Sequence, residues 1–372
     1  MNTDSLDALF KPFRYKSLDL KNRIVMSPMT RYFSPQGTPS PEVATYYERR
    51  AKGGVGLIIS EGAFVDRGSA RSVGSAPSFH GAALEEWQRI LQRVHVARSA
   101  MAPQLWHVGG VPDFNHPSDE FNAKLESPSG LRGPDLPGGH PMTEEDIADV
   151  VASFARAAAE AKRLGFDSVE LHGGHGYLFD QFFWAATNQR KDGYGGASLG
   201  ERTRFACEVL RAIRREVGDD FAIIFRMSQW KTYFYDTRLA ETPALLEEWV
   251  TPLVDAGADI FDCSQRRFWE PEFAESKLNL AGWVKKITSQ PTITVGSVGL
   301  STDLYTDFTS NKVSDPTTNT IIDVAERLDR GEFDLVAVGR ALIADAEWVK
   351  KVADRRFTDL VGYSVEMMKT LV

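Results

Sequence analysis

Cysteine is nearly absent: Cys207 and Cys263 are the whole supply in 372 residues, too few for a disulfide framework or an iron–sulfur ligand set. Long apolar runs are missing too. Nowhere do about 18 apolar residues follow one another, and residues 1–9 are polar and acidic, so neither a membrane span nor a secretory leader is expected and the location reads as cytoplasmic. The formal charge of −8 is spread without long blocks of one sign, which argues against nucleic acid or anionic membrane as partner. A small-molecule ligand on a monomer or homodimer remains. At 42% hydrophobic and 25% charged residues, the chain is able to bury a large core.

What the chain does contain is a recurring unit. Eight short, almost continuously apolar runs lie at 24–29, 57–60, 103–106, 168–172, 223–226, 260–264, 293–295 and 335–338, as parallel strands covered on both faces require. Helical patterns fill the gaps. Ser40-Pro41 and Thr242-Pro243 place an N-cap before proline, and Thr143 with Asp146 and Ser198 with Glu201 have capping-box spacing. After Thr143, apolar residues recur at steps of three and four from Ile147 to Leu164, and Gly165 ends the pattern. Eight β-then-α units with no composition break predict an α/β fold, a closed (β/α)8 TIM barrel, as one domain over 1–372. Residues 107–141 and 299–320 interrupt the repeat and read as long loops after strands three and seven, at the catalytic face. The segment 10–20 has room for a hairpin plugging the other end.

In a barrel, chemistry sits where strands end. After strand four, His172-Gly173-Gly174-His175-Gly176-Tyr177 sets two imidazoles and a phenol among glycines that permit sharp turns and close ligand approach. Two imidazole N–H groups can converge on one carbonyl or anionic oxygen while the phenol donates a proton. A zinc site using His107 as third ligand competes, without a carboxylate or cysteine at matching spacing; so does a structural role for one histidine. Gly296-Ser297 and Gly339-Arg340, after strands seven and eight, suit a phosphorylated ligand. Arg226 ends strand five, where a cation aimed into the mouth needs an anion or an electron-rich ring. Gln104, before Trp106, offers an amide to the edge of a heterocycle, and the Thr30 hydroxyl after Pro28 could reach the same ring.

Four segments in order, 21–31, Gln104-Leu105-Trp106-His107, 172–182 and 188–196, resemble the old yellow enzyme family of FMN-dependent ene-reductases, and the resemblance runs from Leu9 to about Lys351. It implies FMN as cofactor, NADPH or NADH as hydride donor, and an enone-type substrate reduced in a ping-pong cycle. Flavin N5 would supply the hydride, Tyr177 the proton, and His172 and His175 the carbonyl clamp. Thr30, with Pro28 beside it, would bond flavin O4, Gln104 the pyrimidine edge and Arg226 the N1/O2 region. Gly62 would pass its backbone beside the ring, and Gly296, Ser297, Gly339 and Arg340 would hold the phosphate.

Some segments depart from the family pattern. Gln229-Trp230-Lys231 follows Ser228 where proline is usual, and 263–269 is unusually aromatic and basic. Trp106, Trp230 and Trp269 are expected to line the substrate site, with Trp230, Arg266, Arg267 and Trp269 along the mouth to receive the donor's phosphates or a large aromatic or anionic substrate. Rival readings are an FMN-dependent quinone or nitro-compound reductase, a flavin-free phosphate-binding isomerase or aldolase using Lys231, and a non-enzymatic flavin-binding protein with no need of Tyr177.

Overall fold

A computed structural model describes residues 4–114, 118–310 and 312–372. Eight parallel strands close into a barrel: β1 (Ile24–Met26), β2 (Leu57–Phe64), β3 (Ala100–Trp106), β4 (Ser168–His172), β5 (Ala222–Met227), β6 (Ile260–Ser264), β7 (Thr292–Val295) and β8 (Leu335–Val338). They follow one another around the barrel in chain order, and β8 closes onto β1 through Val336 opposite Ile24. All eight expected runs are strands, with altered ends. The first stops at Met26 rather than 29, before Pro28, which has no N–H for a ladder. The second continues to Phe64 through a register shift between Ile59 and Gly62.

Helices cover the outside: α1 (Pro41–Lys52), α2 (Ala83–Val96), α3 (Glu144–Leu164), α4 (Arg204–Val217), α5 (Pro243–Asp255), α6 (Leu280–Thr288), α7 (Thr318–Asp329) and α8 (Trp348–Ala353). The Thr143 capping box is formed, and Gly165 ends α3 at φ 92, a left-handed conformation that favours glycine. Thr242 caps α5 by accepting the Leu245 N–H. Ser40 does not cap α1; its hydroxyl donates to the Glu42 carboxylate at 2.6 Å instead.

The two expected loops differ. In 107–141, of which 115–117 lie outside the described residues, a short helix (Asp119–Asn122) and two small strand pairs are the regular elements. The stretch 299–320, with residue 311 outside the description, is a loop only in part: it holds the helix Leu304–Ser310 and the start of α7. The Asp303 carboxylate accepts the Thr306 N–H at 2.9 Å, local capping that starts a helix in a segment whose polarity reads as loop.

Along every strand, side chains alternate between the bore and the helical layer. Near the strand starts the bore is apolar. An antiparallel hairpin, Phe13–Tyr15 with Leu18–Leu20, sends Phe13, Leu18 and Leu20 into a cluster with Val25, Leu57, Ile59, Ala102, Ile224 and Ile260, the expected plug. The next inward positions on β3 to β6 are Gln104, Glu170, Arg226 and Asp262, all buried. Polarity therefore rises toward the strand ends.

Candidate active site

The loop after β4 is pressed onto β5, and its glycines make that possible. A Cβ on Gly173 would lie 2.4 Å from the Phe225 ring, and one on Gly174 2.7 Å from Ser228 Oγ. His175 takes a left-handed φ of 64, and its N–H donates to Ser228 Oγ at 2.8 Å. Its ring is fixed twice more: Nε2 lies 2.9 Å from Ser264 Oγ, and the Trp230 ring packs on it at 4.3 Å. Trp230 in turn donates from Nε1 to the Ser264 carbonyl at 3.2 Å.

The three expected catalytic residues come together. The His172 and His175 rings meet edge-on at 5.1 Å, and Tyr177 stands 4.9 Å from His172 and 5.0 Å from Trp106. Burial, then the Arg226 charge, pushes His172 down to about 3. Burial pushes His175 well below its ordinary range, with His172, Arg226 and Lys231 adding to the effect. Both imidazoles are therefore neutral at physiological pH. Burial and the neighbouring Tyr32, Tyr233 and Asp113 raise the Tyr177 phenol, which keeps its proton. His172 Nδ1 is buried with no partner. Convergence of both rings on one carbonyl is thus qualified, because the Nε2 atom of His175 is already engaged by Ser264.

Beneath this loop lies a buried ion pair. Lys231 Nζ is 2.6 Å from Asp180 Oδ1 with the two side chains 1% and 0% exposed, and the other Asp180 oxygen accepts the Gly176 N–H at 2.8 Å. Burial lowers the lysine and raises the aspartate, each opposed by its partner's charge. Lys231, the lysine that kept the flavin-free isomerase or aldolase reading open, is therefore engaged by Asp180 beneath the loop after β4 rather than offered to the mouth as a Schiff-base amine.

Inside the bore, Gln104 Nε2 donates to Glu170 Oε1 at 2.7 Å, and the Arg226 guanidinium binds Asp262. Gly62 sits within β2, not after it, where a Cβ would meet the Trp106 ring at 2.7 Å and Gln104 Oε1 at 3.2 Å. Pro28 and Thr30 follow β1, half-buried. At β7, Gly296 has φ 144, and a Cβ there would lie 2.7 Å from the Gln265 carbonyl. Ser297 Oγ donates to the Arg266 carbonyl at 2.8 Å and accepts from Arg340 at 3.1 Å. Gly339 precedes the short helix Arg340–Ala344. The Arg340 guanidinium pairs with Asp307 and bonds the Thr302 carbonyl, so its charge is balanced from within the chain.

The expected wall of Trp230, Arg266, Arg267 and Trp269 is not one surface. Trp230 belongs to the histidine pair, stacking outward on Tyr235 at 5.3 Å, with the Arg266 guanidinium 5.4 Å from the Tyr235 ring centre. Arg267 turns to Asp303 at 2.6 Å and Glu270 at 2.8 Å. Trp269 lies edge-on to Phe268, and its backbone carbonyl accepts from Arg327 of α7. His107, the third ligand of the zinc reading, is committed elsewhere: Nε2 lies 3.1 Å from Glu126, and Nδ1 accepts the Gly109 N–H at 3.0 Å.

Sequence reading missed Glu170, Asp262, Ser264, the Asp180 partner of Lys231, and the Tyr32, Asp113 and Tyr233 group beside Tyr177. A signal existed for the first two: each is a lone carboxylate inside an otherwise apolar strand, two residues before an inward polar side chain. The phenols and Asp113 come from separate loops and leave no pattern in the chain.

Comparison with known proteins follows the same lines. The family model described as NADH:flavin oxidoreductase / NADH oxidase matches residues 8–359. An NADH oxidase of Thermoanaerobacter brockii is 33% identical over 362 residues, 95% of this chain and 52% of that protein, so the chain spans about half of that relative's length. An NADPH dehydrogenase of Halalkalibacterium halodurans is 31% identical over 364 residues, covering 96% of this chain and 97% of that protein. Among solved structures, morphinone reductase in complex with tetrahydroNAD superposes with a TM-score of 0.78 at 25% identity, over 97% of this chain and 93% of that one.

Proposed function

Because the chain belongs to the NADH:flavin oxidoreductase / NADH oxidase family, we propose that it is a single-domain, FMN-dependent oxidoreductase that uses NAD(P)H to reduce the activated C=C bond of α,β-unsaturated carbonyl compounds. The observation that carries this reading is the group of two neutral imidazoles and a protonated phenol at the polar end of the bore. FMN supplies, when bound, the hydride chemistry that no side chain possesses.

The residues present fit that group. The bore ends in one buried amide and one buried guanidinium, Gln104 and Arg226, the donor and acceptor set a pyrimidine edge requires. Thr30 and Pro28, half-buried after β1, and the backbone of Gly62 would lie along the ring, and Gly296, Ser297, Gly339 and Arg340 would hold the phosphate, with Arg340 then shared with Asp307.

The chain's own contribution to the reaction is charge placement and one proton. Neutral His172, whose Nδ1 has no partner, and neutral His175, through the ring nitrogen that Ser264 does not engage, would present N–H groups that stabilise negative charge growing on the substrate carbonyl. Ser264 and Trp230 fix the plane of His175, so that ring needs no reorganisation. Tyr177, kept protonated, donates to the α-carbon. Trp106 and Trp230 flank the bound substrate.

The test is the visible spectrum of the purified protein under anaerobic conditions. Flavin bands that bleach with NADPH or NADH and return with cyclohexenone support the proposal. A colourless protein that cannot be reconstituted with FMN overturns it, and bleaching without return moves the acceptor to quinones or nitro compounds.

A further inference from the structure

Four side chains at the polar end of the bore carry an unbalanced charge count. Arg226 is the cation and Glu170 and Asp262 are both carboxylates, with Gln104 beside them, and all are at most 5% exposed. Arg226 Nη1 occupies Asp262 Oδ2, and Gln104 Nε2 occupies Glu170 Oε1. Each carboxylate is left with one oxygen, Glu170 Oε2 and Asp262 Oδ1, buried without a partner, and the two side chains lie within hydrogen-bond reach of one another. Two ionised carboxylates so placed would face each other with lone pairs and bury a net negative charge. One proton on Glu170 Oε2, donated to Asp262 Oδ1, satisfies both oxygens at once and brings the group to neutrality.

We propose that Glu170 and Asp262 hold this single proton between them, carried on Glu170, so that Asp262 alone balances Arg226 and the pair sets the reduction potential of the bound FMN. The second half rests on the reading that Gln104 and Arg226 face the cofactor. The surroundings support the first half. β3 contributes the uncharged Gln104, β4 the neutral His172, β6 the Ser264 hydroxyl at 3.4 Å from Arg226 and the residue after β1 the Ser27 hydroxyl at 3.5 Å, and among the described residues Arg226 is the one cation paired with either carboxylate. Burial first, then the Asp262 charge, lifts the Glu170 carboxyl well above its ordinary range. Without Asp262, the full Arg226 charge would favour the electron-rich reduced cofactor.

Two readouts test this. Infrared spectra of FMN-free Glu61→Gln protein at pH 7, a background that removes the other buried carboxyl titrating near 7, should contain a protonated-carboxyl C=O band that Glu170→Gln removes and Tyr177→Phe retains. In FMN-loaded protein, Glu170→Gln should move the redox equilibrium less than twofold, since an amide replaces a neutral acid. Adding Asp262→Asn, which leaves Arg226 with no carboxylate, should shift it about tenfold toward the reduced form, roughly 30 mV for a two-electron couple. A band that survives Glu170→Gln, a tenfold shift in that single variant, or no shift in the double variant overturns the proposal. If the double variant does not fold, the single variant's band and potential decide alone. FMN affinity unchanged in Gln104→Ala would instead overturn the placement of the cofactor, whatever the infrared band shows.

Discussion

The two ends of the barrel bore are made by the same strands and differ in almost every other respect. At the strand starts, Ile224, Ile260, Leu57 and Ile59 meet the hairpin's Phe13, Leu18 and Leu20 in an apolar plug. Two positions further along β5 and β6, Arg226 and Asp262 replace Ile224 and Ile260, and the bore fills with charge and hydrogen bonds. The plug gains stability in proportion to the area it buries and asks nothing of side-chain direction. The polar end is held by specific pairings, each costly if broken, and these orient groups for a ligand. The comparison teaches that stability and chemistry are separated along the strand axis, so substitutions at the two ends should have separable effects.

The largest departure is expected where the polar end is locked from below. Lys231→Met strands Asp180 without its counter-charge, which should cost about 3–5 kcal/mol. Adding Asp180→Leu should return much of that stability in thermal unfolding, while the freed catalytic loop keeps activity low. Next, Ile224→Ala in the plug should cost about 2–5 kcal/mol yet leave FMN content and turnover per folded molecule close to parental. Loss of turnover without loss of stability there would erase the division between the two ends.

A smaller, pH-dependent effect sharpens the same division from outside the bore. Glu61, next to Gly62 in β2, accepts the Arg31 N–H at 2.9 Å, and burial raises its carboxyl to about 7 against these hydrogen bonds. Its folded value lies above the unfolded one, so the stability it contributes is full below the unfolded value and is lost as pH rises through about 7. Parental Tm should fall between pH 5 and 8, and Glu61→Gln should flatten that slope.

Strand-level architecture was legible because a parallel strand covered on both faces is apolar throughout, and that pattern survives in one dimension. The β4 loop was legible for a related reason: His172, His175 and Tyr177 are neighbours in the chain. What escaped depends on register. Glu170 and Asp262 can be seen as odd residues in their strands, but their meeting beside Arg226 follows from pairing β4 to β5 and β5 to β6, with His172 opposite Arg226 and Arg226 opposite Asp262. Arg340 read as a free phosphate ligand because its partner Asp307 lies on a helix hidden in a polar stretch.

The account centres on Tyr177 as a proton donor at a site whose other residues only bind and orient. Its most direct test is Tyr177→Phe, with the two half-reactions timed separately by stopped-flow absorbance. The account predicts that bleaching by NADPH or NADH keeps its parental rate and that Tm is unchanged, while reoxidation by an enone slows by about 10²–10⁴-fold. Reoxidation at the parental rate, or equal slowing of both half-reactions, would contradict it.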